Sequence, residues 1–143
     1  KDLARYAAYQ TVVSFQVGCR RNNWPLRPVK RIQGKNRYAL PEAILAHVLS
    51  VLRHMGISAS SVAAMLDRLD QIAFRQALEK FEANLVEEMM LTLPISRYFE
   101  LYDKGGLATV HTSIVSAHET LDEMDALYIR LTDIARGIKE GHV

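Results

Sequence analysis

The sequence predicts a mainly α-helical chain with one small β-hairpin in its first third and a long helix at its C-terminal end. Three observations carry this expectation. Apolar residues recur at spacings of three and four over most of the 143 residues, helix breakers crowd into one stretch between residues 20 and 41, and charge is divided unequally along the chain. Residues 1–41 hold nine Lys/Arg (Lys1, Arg5, Arg20, Arg21, Arg27, Lys30, Arg31, Lys35, Arg37) against Asp2 alone, a net of +8. Residues 42–143 hold nine basic and fifteen acidic residues, a net of −6, so the overall +2 hides two opposed halves. Such asymmetry is the footprint of a polyanion-binding module joined to a neutral or acidic partner.

Composition narrows the class. With 49% hydrophobic and 24% charged residues the chain is neither disordered nor collagen-like, and its length suits one ordinary domain or two very small ones. The single thiol, Cys19, can form neither an intramolecular disulfide nor a thiolate zinc cage, which points to a reducing, cytoplasmic compartment. No run of about eighteen apolar residues is present to span a bilayer. A first residue other than methionine leads us to expect that a few leading residues are missing.

Within residues 1–17, Leu3, Tyr6, Ala7, Val13 and Val17 fall at roughly helical spacing, with a break near Gln10 where Thr11 can cap a second helix. One kinked helix or two short ones fit this pattern. From Arg20 to Pro41 the helical pattern stops, because Asn22, Asn23, Pro25, Pro28 and Gly34 are punctuators. Residues 28–32 and 37–40 flank Gln33-Gly34-Lys35-Asn36, whose glycine and asparagine tolerate the backbone of a hairpin turn, so a small basic hairpin is expected.

Pro41 and Glu42 suit the first turn of a helix carrying Ile44, Leu45, Val48, Leu49 and Leu52 on one side and closed by Gly56. A second helix follows, capped by Ser58 or Ser60, with Val62, Met65, Leu66 and Leu69 inward. Further on, Phe74, Leu78, Phe81, Leu85, Met89 and Leu93 predict a helix over residues 71–93, stopped by Pro94. After a loop at Asp103-Lys104-Gly105-Gly106, the spacing of Leu121, Met124, Tyr128, Leu131, Ile134 and Ile138 predicts one helix over residues 107–139. Some thirty helical residues would extend about 45 Å, more than a domain of this size covers by itself, so these six residues are the expected seam with a second copy, the alternative being an antiparallel pair with the 71–93 helix of the same chain. The division follows as residues 1–70, a basic module, and 71–143, a helical dimerisation or effector region.

The run Asn36-Arg37-Tyr38-Ala39-Leu40-Pro41-Glu42, followed by Leu52-Arg53-His54-Met55-Gly56-Ile57-Ser58 and then Val62 and Leu66, resembles the DNA-binding domain of MerR-type transcriptional regulators. In that family a wing closes on an Arg-(x)-Tyr-Ser signature, and a Leu-Arg-x-x-Gly-Phe-Ser corner joins the next two helices. Tyr38 and Gly56 are 18 positions apart, as in that pattern, with Ile57 in place of phenylalanine and Ala39 in place of serine. Trp24-Pro25 with Arg27 and Arg31 is similar to the entry into the wing. Residues 11–17 lack the family's Gly-Val-Ser turn and Leu-Arg-Tyr-Tyr-Glu run, so motifs carry the resemblance over residues 24–66 and spacing alone carries it over 3–23.

The resemblance implies a winged helix-turn-helix acting as a homodimer on pseudo-palindromic double-stranded DNA, with RNA polymerase or another regulatory protein as a further partner and neither enzyme activity nor a cofactor. Arg27, Lys30, Arg31, Lys35 and Arg37 would be wing contacts, and Tyr38 would reach the backbone through its hydroxyl. The chemistry of the residues says the same more simply, since arginines on a tight hairpin can reach phosphates or a narrow minor groove. Ahead of the hairpin, Thr11, Ser14, Gln16 and Arg20, with Arg21 beside them, carry groups that pair with base edges or phosphates. The lone Trp24 reads as a core anchor. An alternative is a protein-interaction module that keeps the scaffold without reading bases.

Other constellations carry less. His47 and His54, like His111 and His118, lie seven apart on expected helices, about 10 Å, too far to share a metal alone. His118 and Asp122 fall four apart, a weak pair at most. Met89, Met90, Tyr98, Phe99 and Tyr102 can line an apolar effector pocket, although methionines and aromatics at helical spacing usually pack as core. No phosphate loop, nucleophile elbow or dinucleotide fingerprint occurs.

Overall fold

A computed structural model of the chain describes residues 2–22, 24, 26, 30–33, 35–67, 69–94, 109–112 and 126–140. These hold helices α1 (Asp2–Tyr6), α2 (Val12–Asn22), α3 (Leu40–His54), α4 (Ala59–Asp67), α5 (Gln71–Glu82) and α6 (Leu131–Glu140). The strands are β1 (Lys30–Ile32), β2 (Lys35–Arg37), β3 (Met90–Pro94), β4 (Thr109–His111) and β5 (Ala126–Arg130). The mainly helical character expected from periodicity is observed, together with more strand than expected. The chain divides into two compact units, residues 1–63 with 134–143, and residues 64–133.

In the first unit, α1 and α2 are separate helices. The break is a helix closure in which Ala8 takes a left-handed backbone at φ 60°, the Ala8 N–H donates to the Arg5 carbonyl at 3.0 Å and the Tyr9 N–H to the Ala4 carbonyl at 2.9 Å. Thr11 then opens α2, its hydroxyl accepting from the Ser14 N–H at 3.1 Å. The helix runs on to Asn22, through the arginine pair where the helical pattern was expected to stop.

The basic hairpin forms, tighter than expected. Lys30 pairs with Arg37, Arg31 with Asn36 and Ile32 with Lys35, so Lys35 and Asn36 belong to a strand rather than to the turn. Gln33 supplies a left-handed turn conformation at φ 50°.

Helix α3 has Pro41 in its first turn and buries nine of its fifteen residues. Gly56 closes it at φ 87°, with the Gly56 N–H on the Arg53 carbonyl (3.0 Å) and the Ile57 N–H on the Leu52 carbonyl (3.2 Å). Ser58, rather than Ser60, caps α4 by accepting from the Ser61 N–H at 3.2 Å. Val62, Met65 and Leu66 of α4 are buried, as is Leu69 just beyond it.

The second unit departs most from the sequence reading. The helix expected over residues 71–93 is α5 alone, capped by Asp70 accepting from the Ala73 N–H at 3.1 Å. Asn84, left-handed at φ 57°, ends it with the same pair of bonds that closes α1 and α3, from the Asn84 N–H to the Phe81 carbonyl (3.1 Å) and from the Leu85 N–H to the Lys80 carbonyl (2.8 Å). Leu85, expected inward, is 74% exposed. Met90 to Leu93 instead form β3, the middle strand of an antiparallel sheet ordered β4-β3-β5. A central strand buried on both faces reads as a continuous apolar run, and such short runs do not distinguish strand from helix.

The single helix expected over residues 107–139 is likewise corrected. Among the described residues its span contains β4, β5 and, from Leu131, α6. Ala126–Arg130 pairs with β3 from Pro94↔Ala126 to Met90↔Arg130, and Tyr128 and Ile129 are good strand formers. The strand passes directly into α6. That junction is clamped by Met89, whose carbonyl accepts from the Leu131 N–H at 2.9 Å and whose N–H donates to the Thr132 hydroxyl oxygen at 2.8 Å. Glu88 adds an ion pair with Arg130 and accepts from the Thr132 hydroxyl at 3.1 Å.

Candidate nucleic-acid interface

The first unit concentrates the positive charge on two elements, α2 and the β1–β2 hairpin. Helix α2 has an inner and an outer face. Phe15 and Gly18 are buried and Cys19 is half-buried, whereas Val13, Ser14, Gln16, Val17, Arg20 and Arg21 are all exposed. At 3.6 residues per turn, the Val13–Gln16–Val17–Arg20 stripe lies about 160° from Phe15–Gly18–Cys19.

The inner face is seated on aromatic rings. Tyr9 meets Phe15 and Trp24 edge-on, each with centroids 5.7 Å apart. Trp24 is 1% exposed and its indole N–H donates to the Ala59 carbonyl at 3.3 Å, which makes it the core anchor expected. A side chain larger than glycine at position 18 would begin 2.9 Å from the Tyr9 hydroxyl and 3.3 Å from the Trp24 ring. Arg53, from the end of α3, lies 4.4 Å from the Tyr9 ring centroid and donates to the Ala7 carbonyl at 3.3 Å. These contacts tie the α1–α2 turn to α3. Burial pushes the Tyr9 phenol above its ordinary 10.0, with Arg53 pulling the other way. Burial also pushes the Cys19 thiol up to about 11, so it is a poor nucleophile at neutral pH.

The sequence candidates sort accordingly. Gln16, Arg20 and Arg21 stand on exposed parts of α2. The Thr11 and Ser14 hydroxyls lie 2.8 Å apart, and Ser14 donates to the Thr11 carbonyl at 2.9 Å, so both close the first turn. On the hairpin, Lys30 and Arg31 belong to β1, Lys35 and Arg37 to β2, and Arg31 is exposed. The register sets Lys30 opposite Arg37, a like-charged pair that costs stability when no counter-charge is near. Tyr38 is half-buried after β2, and Arg27 lies outside the described residues.

Val13 and Val17, part of the helical spacing in the sequence, stand outward in the structure, 68% and 42% exposed. Phe15, Gly18 and Cys19 form a competing stripe at the same spacing, and the larger aromatic takes the core. A glycine inside a helix was the available signal, because it costs about 1 kcal/mol against alanine and marks a close approach.

The residues expected to form a seam between copies do not share one helix. Tyr128 is on β5 and 41% exposed, Leu131 and Ile134 are buried within the chain, and Ile138 is half-buried on α6. Leu121 and Met124 lie outside the described residues, as do Tyr98, Phe99, Tyr102, His118 and Asp122. Met89 and Met90 are fully buried at the sheet. Among the described residues no three His, Cys, Asp or Glu side chains gather to hold a metal ion, and no helix is long and apolar enough to cross a membrane.

No protein-family model matches the chain, and neither a curated protein nor a solved structure matches it.

Proposed function

We propose that the protein is a sequence-specific DNA-binding transcriptional regulator of winged helix-turn-helix type. In this reading α2 enters the major groove, the β1–β2 hairpin lies on flanking phosphates, and two copies occupy a pseudo-palindromic site. The observation that carries it is the outer face of α2, a separate helix presenting Gln16, Arg20 and Arg21 to solvent. Around it no acidic residue occurs between Asp2 and Glu42 to neutralise the basic ones. The element order, two helices across a turn, a hairpin, then two helices across the Gly56 corner, is the order the MerR resemblance implies. Pairing of two copies rests on that resemblance, and sedimentation of the free protein and of its DNA complex is the check.

Binding to duplex DNA across a salt series tests the proposal. Association that weakens steeply, with a log–log slope of about −0.9 for each phosphate contacted, is expected. No binding, or binding indifferent to salt, rejects it. The exposed Val13 and Val17 also suit a second reading, an interaction module that docks on a protein. Charge reversal at Arg31 and Arg37 separates the two, because a DNA reader loses affinity for all sequences alike, whereas an interaction module keeps its partner.

A further inference from the structure

We infer that Val13 and Val17 are specificity determinants that pack against thymine methyl groups in the major groove, on the same helical face as Gln16 and Arg20. The inference rests on the DNA-binding reading and assigns the base class that this face selects. Two valines stand on the outward face at positions i and i+4, 68% and 42% exposed. Together they leave adjoining apolar surface in water, which a ligand seated on this face can bury.

Charge identifies the ligand. Arg20 and Arg21 share the helix with the valines, and the nearest acidic residues in sequence are Asp2 and Glu42. An isolated pair of valines is also far smaller than the about 800 Å² per partner of a standard protein–protein interface. In the major groove, by contrast, the thymine C5-methyl is the one apolar group on a base edge, and small apolar side chains are its usual contacts.

The neighbours complete the pattern. Gln16 can pair with the N6 and N7 edge of adenine, and Arg20 with the O6 and N7 edge of guanine. The Thr11 and Ser14 hydroxyls are spent on the helix cap and leave the reading to these four residues. Side chains at i and i+4 stand about 6 Å apart, which matches thymines one to two base steps apart.

The test begins with selection of a bound site from random duplex DNA by the full chain. Each selected thymine is then replaced by uracil, which pairs identically but lacks the methyl group. Loss of about fourfold in affinity is expected for each methyl contacted, at one or two positions in each half-site, with the salt slope unchanged. The double variant Val13→Ser, Val17→Ser should bind thymine and uracil sites equally, with wild-type salt slope and thermal stability. The wild-type comparison of thymine with uracil sites needs no variant, and it stands whatever the serine pair does to folding; Val13→Thr with Val17→Thr, which keeps one γ-methyl on each residue, should retain part of the discrimination. Equal wild-type affinity for thymine and uracil at every position, or discrimination that survives in the serine pair, overturns the inference and leaves the DNA-binding reading standing. Failure to bind any duplex overturns both.

Discussion

Helices α2 and α3 belong to the same compact unit yet are used in opposite ways. Ile44, Leu45, Val48, Leu49 and Leu52 of α3 are essentially without solvent contact, so this helix is the unit's pillar. Among the described side chains of α2 only Phe15 and Gly18 are buried, and the opposite face carries two valines, a glutamine and an arginine into solvent. The difference teaches that apolar residues at helical spacing mark a core only when a packing partner exists. On α3 they stabilise the fold. On α2 they cost a little in water and remain available to a ligand.

The sharpest contrast comes from truncating one residue on each helix. Leu49→Ala should cost about 3 kcal/mol, because the emptied volume deep in the unit cannot fully collapse. Val13→Ser should change stability by less than about 0.5 kcal/mol. Urea unfolding of the two variants measures both, and a large cost at Val13 would show that its face is packed after all. A second break of the comparison is Gly18→Val, which drives a side chain towards the Tyr9 hydroxyl and the Trp24 ring, 2.9 and 3.3 Å from where its Cβ would stand. Overpacking of this kind should cost about 2 kcal/mol, seen as a lowered Tm.

Stabilisation is expected at the turn that sets α2 off from α1. Ala8 holds the left-handed backbone that Gly56 holds at the end of α3, so Ala8→Gly should raise stability by up to about 1 kcal/mol in thermal unfolding. The smallest effect is a pH dependence shared by the two units. Burial lowers His47 on α3 and His111 on β4 from the ordinary 6.5, the latter with its Nε2 2.9 Å from the Thr92 hydroxyl oxygen. Their folded-state values are depressed, so the unfolded chain takes up protons first as pH falls. Stability is therefore full above 6.5 and declines progressively below it. Melting at pH 7.5 and 5.5, about one unit either side of that value, should show the decline, and His47→Gln or His111→Gln should flatten it.

Legibility differed between the units for a physical reason. Around the candidate site, the elements are set by residues with strong local preferences. Thr11 and Ser58 cap, Pro41 opens a helix, Gly56 closes one, and Gln33 turns the hairpin. In the second unit the spacing of Leu121, Met124, Tyr128 and Leu131 imitates a helix, while Tyr128 and Leu131 belong to different elements. The strand wins there because β3 offers a partner along all five residues of β5, which no local property of residues 126–130 announces. Asn84 was the one local sign that α5 ends early, since asparagine tolerates the left-handed closure almost as glycine does.

By itself, the sequence determined the charge division, the breakers, the caps and the basic hairpin, because each depends on neighbours within a few residues. Only the tertiary structure decided which face of α2 turns inward and that the C-terminal segment pairs as strand before it coils. Two apolar stripes of equal spacing compete on α2, and the choice between them is made by Tyr9 and Trp24, which meet Phe15 and leave Val13 and Val17 outside. Spacing proposes a face, and the partner that fills the opposing volume selects it.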